Sequence, residues 1–335
     1  MLSAESIVGD TENGVAAPVL SADELVKSYP GHRKGDLIQA VRGVSLSVPA
    51  GKTIGVVGES GCGKSTLARL LVGLEEPTSG SLSINGQRVD CGGRRQRDAL
   101  LRRVQMVFQS PFTSLDPRMT VLQIIREPLD VMRPRGSRAE RHRRAEELMG
   151  AVGLPDYLAD RRPSELSGGQ QQRVGLARAL ASGSDVVICD EPVSALDVSI
   201  QAQVINLLKD LQEELGVAYI FIAHNLSVVA TISDYIAVMY LGRIVEYGPT
   251  NTIYDDPKHP YTKALLSSAP VPDPDANAQG SRIVLQGDLP SPAKVPSGCA
   301  FRTRCWKAQD ICASDDPALE GSFPETRSVA CHFPE

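Results

Sequence analysis

The feature that most constrains the fold is a glycine-rich turn between an apolar run and a helical pattern. The run TIGVVG (53–58) is short and apolar, which is typical of a strand buried on both faces of a sheet. GESGCGKS (58–65) follows it, and STLARLLVGL then places apolar residues at helical spacing. A strand, a tight turn and a helix in this order predict one unit of a parallel α/β sheet.

The turn GESGCGKS fits the spacing G-x-x-x-x-G-K-S of a phosphate-binding loop. Glycines let the backbone wrap closely enough to point N–H groups at phosphate oxygens, and the helix directs its positive dipole end at the same anion. Lys64 would add a charge at the β- and γ-phosphates, and the Ser65 hydroxyl would ligate Mg²⁺. A chance glycine-rich turn is the alternative, but the flanking strand and helix argue against it. The residues expected to bind the nucleotide here are Gly58, Glu59, Ser60, Gly61, Cys62, Gly63, Lys64, Ser65 and Thr66.

Further apolar runs predict the rest of the sheet. VQMVF (104–108), VVICD (186–190) and AYIFIA (218–223) read as buried strands with helical stretches between them, an alternation that predicts parallel pairing. YIAVMYL and RIVEYG predict a late hairpin that turns near Leu241. Residues 116–180 have helical patterning and no strong strand, so we expect a helical subdomain inserted in the core.

Polar residues follow three of these strands. In open α/β sheets, ligands bind beyond the carboxyl ends of the strands, so these residues should converge. Asp190 is placed to hold Mg²⁺, and Glu191 to polarise the water that attacks the γ-phosphate. His224 would contact the γ-phosphate, and the amide oxygen of Gln109 would coordinate Mg²⁺ or water. The alternative is that Asp190 and Glu191 are a solvated, acidic strand end and that His224 has only a structural role.

Composition excludes some classes of function. The formal net charge is −5 and aromatic residues make up 4% of the chain, so neither a polyanion-binding surface nor stacking platforms for nucleic acid are indicated. No apolar run reaches the ~18 residues of a membrane span. Residues 1–17 show no secretory signal and read as a flexible tail. We therefore expect a cytoplasmic protein that does not bind nucleic acid and that reaches a membrane only through other subunits.

Four of the seven cysteines fall in the C-terminal part of the chain, at Cys299, Cys305, Cys312 and Cys331. A reducing cytosol disfavours disulfides, which leaves ligation of a metal or cluster. Four thiolates suit an iron–sulfur cluster or zinc. The spacing is not the C-x-x-C of common zinc ribbons, so four reduced and packed cysteines remain an open alternative.

The segment LSGGQ (166–170), followed by QQRVGLARALA, resembles the signature of ABC ATPases with its helix. Ser167 suits a helix N-cap, and the two glycines expose amides at the positive end of the helix. The resemblance implies that Ser167, Gly168, Gly169 and Gln170 close over ATP that is held by a second ABC ATPase subunit. It thus implies a head-to-tail dimer with two composite sites.

Other landmarks of that family fall in order along residues 18–270. Gln109 matches the Q-loop, SALD (194–197) the D-loop and His224 the switch histidine, and Tyr29 matches the aromatic residue that stacks on adenine. The resemblance implies a P-loop NTPase (RecA-like) α/β core with an antiparallel β subdomain and the inserted helical subdomain. Because no catalytic motif departs from the family pattern, we expect an active ATPase.

Several segments resemble one branch of the family, the ATPases of dipeptide and oligopeptide importers. They are FQSPFTSLDPRMTV, DEPVSALDVSIQAQVINLL, HPYTKALLSSAP and GDLPSPAKVPSGCAFRTRC, and the similarity is greatest to the second ATPase of a dipeptide importer. The resemblance implies a heterodimeric ATPase pair that works with two transmembrane permeases and an extracytoplasmic peptide-binding protein at the cytoplasmic face of the bacterial inner membrane. Import of nickel or another solute is the alternative, and a soluble, non-transport ABC ATPase is a more distant one.

The end of the chain also matches this branch. The proline-rich, polar segment APVPDPDANAQG (269–280) reads as a linker, and residues 271–335 correspond to the small irregular C-terminal extension of this branch. Some peptide-importer ATPases hold a 4Fe-4S cluster in this region, which places iron–sulfur ahead of zinc for the four cysteines.

Overall fold

The computed structural model describes residues 18–31, 36–89, 93–131, 137–194, 196–268, 283–321, 323 and 326–335. Within these ranges the strands are β1 (Pro18–Pro30), β2 (Leu37–Pro49), β3 (Thr53–Val57), β4 (Ser79–Ile84), β5 (Gln87–Val89), β6 (Val104–Val107), β7 (Val186–Asp190), β8 (Ala218–Ala223), β9 (Tyr235–Tyr240), β10 (Arg243–Pro249) and β11 (Ser328–Val329). The helices are α1 (Lys64–Leu71), α2 (Arg94–Arg103), α3 (Pro111–Ser114), α4 (Val121–Val131), α5 (Arg138–Ala151), α6 (Gly168–Ala181), α7 (Val198–Leu215), α8 (Leu226–Ile232), α9 (Thr250–Asp255), α10 (Pro260–Ser267) and α11 (Ile311–Ser314), with 3₁₀ turns at Asp156–Leu158 and Pro163–Glu165.

The central sheet has the strand order β11-β10-β9-β3-β8-β7-β6. The five strands from β9 to β6 are parallel, and β10 and β11 extend the sheet with antiparallel pairing. Every residue of β3, β7 and β8 is buried, as their largely apolar sequences predict. The predicted parallel α/β core and the late β9–β10 hairpin are therefore confirmed.

A second sheet is antiparallel, with the order β2-β1-β4-β5. It reaches the glycine-rich turn: the Arg42 amide donates to the Gly242 carbonyl at 2.8 Å, and the Gly242 amide donates to the Cys62 carbonyl at 2.8 Å. Gly63 lies so close to this sheet that a β-carbon there would sit 2.1 Å from the Ala40 carbonyl oxygen. With φ at 107°, that position tolerates glycine alone.

Three helices form a separate layer, in which α4 packs against both α5 and α6. A capping box begins α5: the Ser137 hydroxyl accepts from the Glu140 amide at 3.2 Å, and the Glu140 carboxylate accepts from the Ser137 amide at 2.5 Å. These helices lie within 116–180, where a helical insertion is predicted from the sequence. The limits of that insertion, and those of the other predicted domains, stay predictions.

The C-terminal segment, meaning the described residues from 283 onwards, packs onto the core. β11 pairs with β10, and the Phe301 side chain is 1% exposed among the rings of Tyr240 and Tyr261. The predicted tail (1–17) lies outside the described residues, and so does the predicted linker (269–280). None of the helices formed by the described residues is both long and apolar enough to cross a membrane.

A buried glutamate ties the C-terminal segment to the central sheet. Glu246, in β10, is fully buried and accepts hydrogen bonds from the amides of Lys258 and His259 at 2.8 and 2.9 Å. Arg327, next to β11, donates to the same carboxylate at 2.6 Å. The carboxylate is thus held by two backbone donors and one charge.

Arg327→Met should destabilise the protein strongly, because it leaves the Glu246 carboxylate buried without its countercharge. We expect a loss of about 3 kcal/mol in the free energy of unfolding, measured by chemical denaturation. Arg118→Met is the matched control, since Arg118 forms its ion pair with Asp116 on the surface and should leave the unfolding midpoint unchanged. Equal midpoints for the two variants would contradict the assigned role of Arg327.

Candidate nucleotide-binding site

The glycine-rich turn closes around the side chain of its own lysine. Lys64 is 5% exposed, and its ammonium donates to the carbonyls of Gly58 at 2.7 Å and Glu59 at 3.0 Å. A β-carbon at Gly58 would lie 2.2 Å from the Met239 carbonyl oxygen, so the turn is pressed against β9. The sequence therefore places a positive charge inside a tight backbone loop at the carboxyl end of β3.

The remaining residues of the turn divide into an exposed rim and a packed base. Ser60 and Gly61 are exposed at the rim, and Gly61 has φ at 82°. Cys62 is buried, and burial raises the pKa of its thiol. Ser65 and Thr66 begin α1 and are half-buried. Cys62 thus fills space beneath the loop, while Ser60 and Gly61 face outwards.

Ser65 and Asp190 meet although 125 positions separate them in the sequence. The Ser65 hydroxyl donates to the Asp190 carboxylate at 3.3 Å. Burial raises the pKa of Asp190, and the Ser65 hydrogen bond and the Lys64 charge oppose that rise. A buried carboxylate beside a hydroxyl forms a set of hard oxygen donors, which suits Mg²⁺.

Three predicted catalytic residues gather at the neighbouring strand ends. The Gln109 side-chain amide donates to Glu191 at 2.8 Å, and the His224 Nδ1 atom lies 3.9 Å from the other Glu191 carboxylate oxygen. Glu191 has φ at 47°, and its amide donates to the Ile222 carbonyl at 2.9 Å. Gln109 thus lies beside Glu191, and coordination of Mg²⁺ or water by its amide oxygen stays a prediction. A left-handed residue held at a strand end is a strained feature of the kind that collects at functional sites.

Tyr29 lies at the end of β1, beside the start of α1. Its hydroxyl is hydrogen-bonded to Glu75, and the Lys27 ammonium lies 5.2 Å from the centre of its ring. Burial is the main cause of the raised pKa of this phenol, and the hydrogen bond with Glu75 raises the pKa further. The Tyr29 hydroxyl also shares a hydrogen bond with Thr66, in the first turn of α1, so the side chain lies next to the end of the phosphate loop. Stacking of the ring on adenine stays a prediction.

The segment 166–170 forms a capped helix start at the protein surface. The Ser167 hydroxyl accepts from the Gln170 amide at 3.3 Å, and the Gln170 side chain accepts from the Ser167 amide at 2.9 Å. Ser167 and Gly168 are exposed, while a β-carbon at Gly169 would lie 3.0 Å from the Ile200 side chain. None of the hydrogen bonds found for the described residues joins this segment to the phosphate loop. Of the predicted D-loop, residue 195 lies outside the described ranges.

The four C-terminal cysteines line one pocket, together with His259. Burial raises the pKa of Cys299 to about 11, and it raises those of Cys305 and Cys331 as well. In each case the backbone amide two residues later, at Phe301, Lys307 and Phe333, opposes the rise by hydrogen bonding to sulfur. Across the ranges that the structure describes, no three His, Cys, Asp or Glu side chains are grouped so as to hold a metal ion, and the predicted iron–sulfur cluster stays a prediction.

Sequence reasoning missed two contacts on the phosphate loop. Arg304, from the cysteine-bearing segment, forms a forked ion pair with Glu59, and the Tyr261 hydroxyl accepts from the Glu59 amide at 2.8 Å. These partners lie 245 and 202 positions from Glu59, and no local pattern in the sequence signals them.

A glycine-rich phosphate loop, a strand-end acid pair and a separate LSGGQ helix on one α/β core define an ATP-binding cassette. The chain belongs to the ABC transporter family, in the branch of oligopeptide and dipeptide transport ATP-binding subunits. Residues 41–194 match the family described as ABC transporter, and residues 245–312 match the family described as oligopeptide/dipeptide transporter, C-terminal region. The resemblance stated from the sequence, the fold class and the assignment as an ABC ATPase are confirmed.

Similar proteins carry consistent names. The chain is 51% identical to the oligopeptide transport ATP-binding protein OppF of Haemophilus influenzae, over 89% of this chain and 90% of that one. It is 49% identical to the di/tripeptide transport ATP-binding protein DppF of Pseudomonas aeruginosa, over 95% and 98%. Among solved structures, a dimer of the ATP-binding cassette MJ0796 with ADP and Pi is 30% identical at a TM-score of 0.63, over 69% of this chain and 98% of that one.

Proposed function

We propose that this chain hydrolyses ATP to drive the import of di- and oligopeptides through a membrane ABC transporter. The convergence of Lys64, Asp190 and Glu191 at one edge of the sheet carries the ATPase part of the proposal. The peptide part is supported by similarity to OppF and DppF across most of the chain.

Each residue of the site has a distinct role in hydrolysis. The loop amides and Lys64 bind the β- and γ-phosphates, and Tyr29 borders the adenine. Ser65 and Asp190 would hold Mg²⁺, which neutralises phosphate charge when bound. Glu191 accepts a proton from the attacking water, while Gln109 and His224, on either side of its carboxylate, orient the water and contact the γ-phosphate.

The LSGGQ helix serves the site of a second subunit. Its exposed Ser167 and Gly168 present helix amides to the outside, at the positive end of α6. Two such subunits placed head to tail would each complete the other's site with Ser167, Gly168, Gly169 and Gln170. ATP would thereby join the two subunits, and hydrolysis would release them.

The partners and the location follow from the same family relationship. We propose a heterodimer with a related ATPase, bound to two transmembrane permeases at the cytoplasmic face of the inner membrane. An extracytoplasmic binding protein would deliver the peptide. Nickel or another solute is the alternative cargo, because the residues proposed to bind ATP do not contact the transported solute.

We also propose that Cys299, Cys305, Cys312 and Cys331 hold a 4Fe-4S cluster, ahead of zinc. The support is chemical: all four line one pocket, and backbone amides point at three of the sulfurs. Hydrogen bonds to sulfur stabilise the thiolate form that binds iron and tune the potential of a cluster.

Glu191→Gln should keep ATP binding but slow hydrolysis by about a hundredfold or more, because the proton acceptor for the attacking water is lost. Lys64→Ala should lose ATP binding itself. Both are measured by nucleotide titration and phosphate release, with the exposed Glu213→Gln on α7 as the control that retains activity. Hydrolysis by Glu191→Gln at the wild-type rate would remove Glu191 from the role of base.

The proposed cargo is tested on the complex reconstituted with its permeases, partner ATPase and binding protein. Di- and oligopeptides should stimulate ATP hydrolysis, because loaded binding protein favours the closed ATPase dimer. Nickel should have no effect. Stimulation by nickel alone would overturn the peptide assignment and leave the ATPase in place.

The cluster is tested by anaerobic purification of the full chain. The protein should be brown, absorb broadly near ~400 nm and contain iron, as iron–sulfur proteins do. Cys305→Ser should abolish the absorbance, whereas Cys189→Ala, in the buried strand β7, should retain it. A colourless preparation without iron would refute the cluster, and zinc in its place would assign the pocket to zinc.

A further inference from the structure

We propose that the cysteine-bearing segment 299–305 positions the phosphate loop, and that Arg304 is a positioning residue acting through Glu59. The inference rests on the proposed nucleotide site and adds a residue to it from the far end of the chain. The residues that carry it are Arg304, Glu59, Tyr261 and Lys64.

The ion pair between Arg304 and Glu59 has a defined geometry. The two terminal guanidinium nitrogens donate to the two carboxylate oxygens at 2.7 and 3.1 Å. The Arg304 side chain is 9% exposed and the Glu59 side chain is 26% exposed, so the guanidinium is largely shielded from water while the carboxylate is partly shielded. A forked arginine–carboxylate pair fixes orientation as well as distance, which a single point charge would not do.

Glu59 is held at its backbone as well as at its side chain. Its amide donates to the Tyr261 hydroxyl at 2.8 Å, and the Tyr261 side chain is fully buried. The Tyr261 ring centre lies 4.8 Å from that of Tyr240 and 5.4 Å from that of Phe301. The partner of the amide is therefore itself fixed by aromatic packing.

The constraint on Glu59 passes directly to the phosphate-binding lysine. The Glu59 carbonyl accepts from the Lys64 ammonium at 3.0 Å and from the Cys62 amide at 3.2 Å. Because Glu59 is held both at its side chain and at its amide, the position of its carbonyl, which accepts from Lys64, is set as well. Arg304 acts on the nucleotide through this chain of contacts and does not touch it.

Arg304 owes its own position to the segment around it. The Arg304 amide donates to the Phe301 carbonyl at 3.0 Å, in a tight turn bracketed by Cys299 and Cys305. Both cysteines line the four-cysteine pocket, and Phe301 is buried beneath it. The residues that line the four-cysteine pocket therefore also fix the turn that carries Arg304.

A preordered loop lowers the entropy lost when nucleotide binds. Without Arg304, the loop must be ordered at the moment of binding, so affinity falls. Once ATP is bound at saturation, its own contacts order the loop and the chemical step is unaffected. A positioning role of this kind raises KM and leaves kcat nearly constant.

The test compares Arg304→Met, Arg304→Lys and Arg103→Met in the full-length chain assembled with its transporter partners. Arg304→Met should raise KM for ATP about tenfold, the loss of one charge-assisted contact, with kcat within about twofold. Arg304→Lys should recover part of the affinity. Arg103→Met is the matched control, because Arg103 forms an exposed ion pair with Asp185, just before the start of β7 and at the opposite end of that strand from Asp190, and it should behave as wild type.

A double-mutant cycle isolates the pair. Glu59→Gln should raise KM to a similar degree, and its combination with Arg304→Met should add little. A fall in kcat at unchanged KM, or additive effects, would show a merely structural contact and overturn the inference. Lys64→Ala, run in parallel, separates the two proposals: retained ATP binding in that variant contradicts the nucleotide site, whatever Arg304 does.

Discussion

The parallel pairing of β3, β8 and β7 is the constraint on which the site depends. Parallel strands end at the same edge of a sheet, so the residues that follow them are brought together whatever their distance in sequence. The phosphate loop follows β3, Asp190 ends β7 and His224 follows β8. Every proposed catalytic contact uses this shared edge.

Burial at that edge makes its charges depend on one another. Lys64 and Asp190 are both nearly inaccessible, and burial alone would favour the neutral form of the acid. The Lys64 charge and the Ser65 hydroxyl favour the ionised form. The site thus offers an ionised carboxylate for a cation and a lysine ammonium for phosphate, which suits a nucleotide bound together with Mg²⁺.

The C-terminal segment belongs to this arrangement and is not an appendage to it. Several ion pairs attach it to the core, among them Arg327 with Glu246 in β10 and Arg304 with Glu59 at the phosphate loop. Phe301 packs against the rings of Tyr240 and Tyr261. The segment that contains the four cysteines therefore contacts the phosphate loop directly, through side chains.

The sequence by itself determined the parallel core, the phosphate loop and the residues gathered around Glu191. Those features have local signals: apolar runs of strand length, glycines at fixed spacing and polar residues directly after strands. Tertiary structure alone decided that Arg304 and Tyr261 hold Glu59 in the phosphate loop. These contacts join residues far apart in the chain, and their partners are chosen by packing and by the direction of side chains. Hydrophobic periodicity and motif spacing in the sequence predict neither the packing nor the side-chain directions.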